Sequence, residues 1–314
     1  MAQNTPACKG CSATVCTCGP SGVVNNKTIH ELLKRKKLLQ IITIRVDPRT
    51  TNENIKLLAG AKRLILEADN QCRTELRDYG LKSLAGAHTM SLSGCRQITD
   101  VGISALAGIS AINLTGTYVG DSGLKALSGV QNIDLSGCPN VTDTGVAALA
   151  GARNVCLYYC KQITDKGIIP LAGCESLDIR RCHQITDEGV KAHAGIHTIL
   201  LGFLNITDEA LKALKGVYKI SIPNCPRISD EGLKALAGAK NVDLTNNAQP
   251  SITDEGVMAL AGVEIISVAC TGVTDKMLKV MVDAGLKVMD LRYCENITRE
   301  GRFYLRDSGI QFDA

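Results

Sequence analysis

Four cysteines near the amino terminus are the residues whose type and spacing come closest to a metal site. They form the pattern C-x2-C-x4-C-x-C at Cys8, Cys11, Cys16 and Cys18. Thiolates bind zinc and one C-x-x-C pair is typical of a zinc site, but the second pair is C-x-C and the segment is short for a zinc fold. Two interpretations follow, a zinc-binding or redox-responsive cluster and a flexible, reduced tail over residues 1–26.

Cysteines and histidines also gather near the middle of the sequence, at Cys174, Cys182, His183, His193 and His197. A zinc site needs four such groups that converge on one point. The repeat pattern described below places Cys174 and His193 at inward positions and His197 in a different column. We therefore expect no metal here, and we predict that His193 is a partly buried, hydrogen-bonded histidine.

The sequence offers no further constellation that could carry catalysis. It contains no phosphate-binding glycine loop, no paired-carboxylate arrangement and no Ser/His/Asp set that stands apart from the repeats. One aspartate does recur, in the phrase (I/V)-T-D-x-G, but the same carboxylate in consecutive repeats cannot form one active site after another. We therefore predict a structural aspartate, no enzyme and no cofactor.

The recurring aspartate marks an internal repeat. Successive markers are 21 to 24 residues apart, and they lie at Asp78, Asp100, Asp121, Asp143, Asp165, Asp187, Asp208, Asp230, Asp254 and Asp275. A short and steady period of this kind predicts a solenoid of stacked repeats rather than a series of separate globular domains.

Each repeat changes from alternating to helical spacing of its apolar residues. In "VQNIDLSGC" the residues Val130, Ile133, Leu135 and Cys138 follow L-x-x-L-x-L-x-x-C, which predicts a short strand that leads into a buried turn. In "ITDEGVKAHAG" the threonine can cap a short helix while the aspartate places negative charge at its positive end. We expect the turn cysteine to be a free thiol that packs as a small apolar group and donates weakly to a carbonyl, because the chain shows no secretory route; a bridge between repeats is the alternative.

This pattern resembles the leucine-rich repeats of the cysteine-containing subfamily over about residues 40–314, and it is similar to the repeat region of F-box substrate receptors. The resemblance implies an α/β solenoid, a curved horseshoe with parallel strands on the concave face and short helices on the convex face. The residues before the repeats show no F-box pattern. We predict a tail over 1–26, a capping helix over 27–40 and a solenoid of about eleven to twelve repeats over 41–314.

Most outward positions of the predicted strand face are small and polar. The exceptions cluster in two places, and we predict partner-binding residues there: Tyr158, Tyr159, Asp178, Arg180 and Arg181 in adjacent repeats, and Asp290, Arg292 and Tyr293 near the end of the chain. Tyrosine and arginine commonly anchor protein interfaces. The alternative is that these side chains only cover exposed strand.

The resemblance implies recognition rather than catalysis. We predict a scaffold that binds a protein partner on the concave face. A more specific prediction is that it is a substrate-recognition subunit of a ubiquitin ligase and also binds an adaptor of that ligase. A zinc-binding or redox-responsive protein and a purely structural spacer are the alternatives. The net charge of +4 is spread along the chain and no long apolar run is present, so we expect a cytoplasmic or nuclear monomer that binds neither nucleic acid nor membrane.

Overall fold

The computed structural model describes residues 43–66, 75–247, 252–269 and 271–313. The chain divides into two compact units, Met1–Ala152 and Arg153–Ala314. The predicted tail, the predicted capping helix and the zinc candidates Cys8, Cys11, Cys16 and Cys18 lie outside the described residues. None of the helices in the described ranges is long and apolar enough to cross a membrane.

The first unit alternates short strands with short helices. Its strands are β1 (Thr43–Arg45), β2 (Arg63–Ile65), β3 (Thr89–Ser91), β4 (Ala111–Asn113) and β5 (Asn132–Asp134), and its helices are α1 (Asn52–Lys56), α2 (Asp78–Lys82), α3 (Asp100–Ser104), α4 (Asp121–Ala126) and α5 (Asp143–Ala147). Each strand pairs in parallel with the next one along the chain, in register.

The second unit continues the same alternation. Its strands are β6 (Asn154–Cys156), β7 (Ser176–Asp178), β8 (Thr198–Leu200), β9 (Lys219–Ser221), β10 (Asn241–Asp243), β11 (Ile265–Ser267), β12 (Val288–Asp290) and β13 (Gln311–Asp313). Its helices are α6 (Asp165–Ile168), α7 (Asp187–Lys191), α8 (Asp208–Ala213), α9 (Asp230–Ala235), α10 (Asp254–Met258), α11 (Leu278–Asp283) and α12 (Arg299–Asp307), with 3-10 turns at Ile169–Leu171 and Asp275–Met277. Neighbouring strands again pair in parallel.

Apolar columns hold the repeats together. Three positions of the typical repeat are buried: the middle residue of the strand, the apolar residue just after the strand and the turn cysteine. In the repeat of β5 these are Ile133, Leu135 and Cys138. Most of the helices are too short to be stable alone, so packing against neighbouring repeats must supply their stability. The predicted α/β leucine-rich-repeat solenoid is thereby confirmed.

The marker aspartates join each repeat to the next. Asp165 accepts hydrogen bonds from the backbone N–H of Thr186 at 2.8 Å and from its hydroxyl at 2.6 Å, while the Thr186 oxygen accepts from the N–H of Glu188 in its own helix. The same pair of bonds recurs along both units, at Asp78–Thr99, Asp121–Thr142, Asp187–Thr207, Asp208–Ser229, Asp230–Thr253, Asp254–Thr274 and Asp275–Thr298. The predicted structural role of the aspartate is confirmed, and its partner is the next repeat's cap rather than its own helix alone.

The glycine of T-D-x-G makes room for the preceding repeat's aspartate. A Cβ placed on Gly189 would overlap Oδ1 of Asp165, and one placed on Gly232 would overlap Oδ1 of Asp208. Glycine inside a helix costs about 1 kcal/mol relative to alanine. Glycine is favoured here rather than required, because Ala210 occupies the equivalent position in α8 and the bonds between Asp187 and Thr207 persist beside it.

The turn cysteines form a second set of bonds between repeats. The Sγ of Cys182 donates to the carbonyl of Leu157 at 3.0 Å, and that of Cys294 donates to the carbonyl of Val268 at 3.1 Å. Asn247, in the same column, donates to the carbonyl of Ile222 at 2.9 Å. All cysteines in the described ranges are free thiols, so there the bridge alternative is excluded and the predicted packing and weak donation are confirmed.

His193 follows helix α7 and departs from its prediction. It is 1% exposed and neither ring nitrogen has a hydrogen-bond partner of normal geometry, so the expectation of a partly buried, hydrogen-bonded histidine is wrong. The reason is that its column is filled elsewhere by leucines such as Leu149 and Leu171, which face the apolar interior. Burial lowers the pKa of the imidazole, an effect that the backbone of Ile168 only partly opposes.

Candidate functional site

The site lies in the turn that follows each strand of the second unit. There the chain enters the left-handed region, with φ between 54° and 64°, at Tyr159, Arg181, Phe203, Asn224, Asn246 and Tyr293. In the first unit the equivalent left-handed residues are Gly94, Gly116 and Gly137. One column of the repeat therefore changes from glycine to large side chains.

Stacking of the repeats imposes this backbone conformation. The N–H of Tyr159 donates to the carbonyl of Arg180 at 2.9 Å, that of Arg181 to Gly202 at 3.0 Å, and that of Phe203 to Pro223 at 2.8 Å. In the first unit Gly94 makes the same bond to Thr115. Because the bond uses only the backbone, any residue in this column must adopt the left-handed conformation.

Tyrosine, arginine and phenylalanine are unfavourable choices for such a position. Glycine adopts a positive φ freely and asparagine tolerates it, whereas a bulky side chain costs on the order of 1–3 kcal/mol. Tyr159, Arg181 and Phe203 are also not among the buried residues of the apolar core, and Tyr159 is 40% exposed. Three consecutive repeats thus carry strain at surface positions, which is a pattern typical of functional sites.

The large side chains of these repeats pair with one another, each ring with one cation. The Arg181 guanidinium lies 4.0 Å from the ring centre of Phe203, the Lys161 ammonium 4.6 Å from that of Tyr159, and the Arg180 guanidinium 5.3 Å from that of Tyr158. Such contacts orient a cation over an aromatic ring. We call Tyr158, Tyr159, Lys161, Arg180, Arg181 and Phe203 the turn patch.

Asp178 at the end of β7 fixes Arg180. Its carboxylate accepts from the Arg180 backbone N–H at 3.1 Å, from Nε at 2.9 Å and from Nη2 at 2.6 Å. Hydrogen bonding to Asp178 raises the pKa of Arg180. Asp178 is only 8% exposed, so the expectation that it lies on the open face is wrong: Arg180 covers it, and it acts by positioning that side chain.

Lys161 also alters the phenol beside it. The pKa of Tyr159 is lowered from its ordinary value, first by hydrogen bonding with Lys161 and then by that residue's positive charge. Tyr159 is 40% exposed. The phenol is therefore held by a neighbour and still open to a partner.

The second predicted cluster, Asp290, Arg292 and Tyr293, repeats the pairing of an aspartate with the arginine two positions later. Asp290 accepts from the N–H, Nε and Nη2 of Arg292 at 3.1, 2.9 and 2.7 Å, and hydrogen bonding with Arg292 lowers the pKa of Asp290. Tyr293 is 80% exposed with φ 61°. No ring–cation contact with Tyr293 occurs among the described residues, and the link of this cluster to the preceding repeat is a hydrogen bond from the Ser267 hydroxyl to Asp290 at 3.1 Å.

Two residues of the turn patch escaped the sequence reasoning. Phe203 and Lys161 were not predicted, although the column of Gly94, Gly116 and Gly137 gives a signal, since a bulky residue in a glycine column is an anomaly. In contrast, the structure does not bring the central cysteines and histidines together, because no cluster of metal-binding side chains occurs in the described part of the chain.

The comparisons with known proteins agree with this fold. A family model described as "Leucine Rich repeat" matches residues 89–107, 130–150 and 175–192. A search of curated proteins finds no match. Solved structures do resemble the chain, and their identities are low enough that they show the fold alone.

Three of these solved structures illustrate the resemblance. A chain of the Rad7 and Elc1 complex of yeast is 15% identical with a TM-score of 0.54, over 91% of this chain and 86% of that one. An internalin (inlF) from Listeria monocytogenes is 16% identical with a TM-score of 0.65, over 90% and 86%. A chain of the Toll–Spatzle complex of Drosophila is 10% identical with a TM-score of 0.57, over 80% and 39%. The family match over three repeats and the stacked parallel strands together show that the described part of this chain has the leucine-rich-repeat fold.

Proposed function

We propose that this protein is a non-enzymatic recognition scaffold that binds a protein partner at the turn patch. The observation that carries the proposal is the strained column: Tyr159, Arg181 and Phe203 occupy left-handed positions in three consecutive repeats, where glycine or asparagine serves elsewhere. Neither stacking nor the apolar core requires these side chains. Contact with a partner explains why these side chains occur at positions where they strain the backbone.

The chemistry of the turn patch suits an interface. Tyrosine and arginine bury a large area and still form hydrogen bonds, and they are enriched where interfaces gain most of their energy. Their contacts with neighbouring cations hold the side chains before a partner arrives, which reduces the entropy lost on binding. The cluster at Asp290, Arg292 and Tyr293 is a second contact of the same chemistry.

The finer form of the proposal is that the protein selects a target for a ubiquitin ligase in the cytoplasm, acting as a monomer. The support for this form is the similarity in fold to a chain of the Rad7 and Elc1 complex, which is an assembly of two proteins. In this form of the proposal, an adaptor chain links the protein to the ligase.

The test is affinity purification from the cells of origin with a variant that removes the strained side chains. We replace Tyr159, Arg181 and Phe203 together by asparagine, the residue that Asn224 and Asn246 place in the same column. The matched control is Asn224→Gly, which changes the same column outside both clusters and keeps a residue that adopts a positive φ freely. Circular dichroism and thermal unfolding establish that each variant is folded.

We expect the wild type and the control to retain a common partner that the triple variant loses. If the triple variant retains every partner, the turn patch is not the binding site. Ligase adaptor subunits among the lost partners support the finer proposal, and a partner set without them removes it while leaving the recognition scaffold.

A further inference from the structure

The turn patch carries more positive than negative charge. Arg180 is paired with Asp178, but Lys161 and Arg181 form no salt bridge within the described ranges. The Nε of Arg181 is almost inaccessible and lacks a hydrogen-bond partner among the protein atoms. Two cations in adjacent repeats are therefore left without a carboxylate.

A cation lies over one face of each aromatic ring of the turn patch. Phe203 faces Arg181, Tyr159 faces Lys161, and Tyr158 faces Arg180. A ring that binds single-stranded nucleic acid must offer a free face on which a base can stack. Here a cation already occupies a face of each ring, so a base that stacks on that face must displace the cation, whereas an acidic ligand needs no such displacement.

We propose that the turn patch binds an acidic segment of the partner protein, an extended stretch rich in Asp or Glu. This inference rests on the proposed function and adds the chemistry of the partner. The carboxylates of the segment meet Lys161 and Arg181, and the exposed edge of Tyr159 packs on the peptide between them. Charge complementarity of this kind provides specificity and speeds association.

The experiment uses the full-length protein and a fluorescein-labelled peptide of alternating Glu and Gly, measured by fluorescence anisotropy. A peptide with Gln in place of Glu removes the charge at constant size, and labelled oligo-uridine tests the nucleic-acid alternative. The variant Lys161→Gln with Arg181→Gln removes both unpaired cations. The control variant is Arg153→Gln, an exposed arginine in the same unit that faces Glu175 instead.

We expect the Glu peptide to bind, the Gln peptide to bind at least about tenfold more weakly, and added salt to weaken the Glu complex. The double variant should lose at least about tenfold in affinity for the Glu peptide while the control variant retains it. The inference is overturned if the Glu peptide fails to bind, if both peptides bind alike, if oligo-uridine binds in their place, or if the double variant binds as the wild type does.

This outcome is distinguishable from failure of the proposed function. Suppose that, in the affinity purification, the asparagine variant loses the partner but Lys161→Gln plus Arg181→Gln retains it. The turn patch is then still the binding site, but it does not select acidic segments. Retention of the partner by both variants removes the proposed function itself.

Discussion

The carboxylate of Asp187 accepts the backbone N–H of Thr207 at 2.8 Å and its hydroxyl at 2.5 Å, although the two residues belong to different repeats. The same threonine caps its own helix, since its oxygen accepts from the N–H of Glu209. One side chain therefore begins a helix and attaches it to the preceding repeat. The stability of this protein depends on such bonds between repeats as well as on its apolar columns.

Loss of one marker carboxylate should weaken the stack. Asp208→Ala removes two hydrogen bonds and leaves the N–H of Ser229 without its acceptor, so we expect a loss of about 1–3 kcal/mol in the free energy of unfolding. Asp208→Asn should lose less, because an amide oxygen still accepts from the N–H. Urea unfolding measures both. The control Glu209→Ala removes an exposed ion pair with Lys212 and should leave the urea midpoint nearly unchanged, because solvent screens such pairs. An equal loss in the control would contradict the assigned role of Asp208.

The helix glycine should tolerate alanine but not a larger residue. Ala210 occupies the equivalent position in α8, and the bonds between Asp187 and Thr207 persist beside it. We therefore expect Gly189→Ala to cost about 1 kcal/mol or less and Gly189→Val to cost about 1–3 kcal/mol more, because the branched side chain forces Asp165 away. Thermal unfolding compares the pair. Similar melting temperatures for the two variants would show that Asp165 moves without penalty.

Relief of strain in the left-handed column should preserve or increase stability. Arg181→Asn and Phe203→Asn replace a strained residue by one that tolerates a positive φ, so we expect a change between about zero and 1 kcal/mol in the stabilising direction. The converse substitution Asn224→Phe should destabilise by about 1–2 kcal/mol. Chemical denaturation tests all three. A clear loss of stability in Arg181→Asn would mean that the cation–ring contact with Phe203 outweighs the strain.

The buried thiols should resist alkylation. Burial raises the pKa of Cys174 to about 11 and that of Cys182 to about 12, so very little of either is thiolate near about pH 8. Peptide-resolved labelling with iodoacetamide should modify Cys156, which is partly exposed, well before Cys182. Unfolding in urea should abolish the difference. Labelling of Cys182 at the rate of Cys156 in the folded protein would contradict its position in the structure.

The raised thiol pKa values also fix the sign of an alkaline effect. A thiol that holds its proton more tightly when folded stabilises the protein below the ordinary thiol pKa of 9.0, and this contribution is lost as the pH rises towards about 12. Cys182→Ala should therefore show a smaller fall in melting temperature above about pH 9 than the wild type. If the melting temperature of Cys182→Ala fell as steeply as that of the wild type, groups other than Cys182 would cause the alkaline sensitivity.

Acid should destabilise the protein through His193. Burial lowers the pKa of this imidazole below its ordinary value of 6.5, so the unfolded chain binds a proton more readily and stability falls as the pH drops below about 6.5. His193→Leu restores the residue of its column and should raise stability while reducing the fall between about pH 7.5 and about pH 5. The control Leu171→Val changes the same buried column without adding or removing a titratable group and should leave the fall unchanged. Equal acid sensitivity of wild type and His193→Leu would refute this assignment.

The sequence alone specified much of this architecture. Its period, the alternation before each cysteine, the T-D-x-G phrase and the aromatic and cationic residues at Tyr158, Tyr159, Arg180 and Arg181 could all be read directly. These features are local, because apolar spacing within one repeat decides whether that segment forms strand, turn or helix. The anomaly at Phe203 was readable in principle, since it replaces the glycine of Gly137 and earlier repeats.

Only the tertiary structure decided which groups of one repeat meet those of the next. The Asp–Thr pairs join residues 20 to 23 positions apart, and the thiol of Cys182 reaches a carbonyl 25 positions away. The folded structure also covers Asp178 with Arg180 and encloses His193 in the apolar interior. The period predicts that repeats stack, but the register of donors and acceptors follows from backbone geometry, because a shift of a few ångströms would break these bonds without changing the apolar pattern.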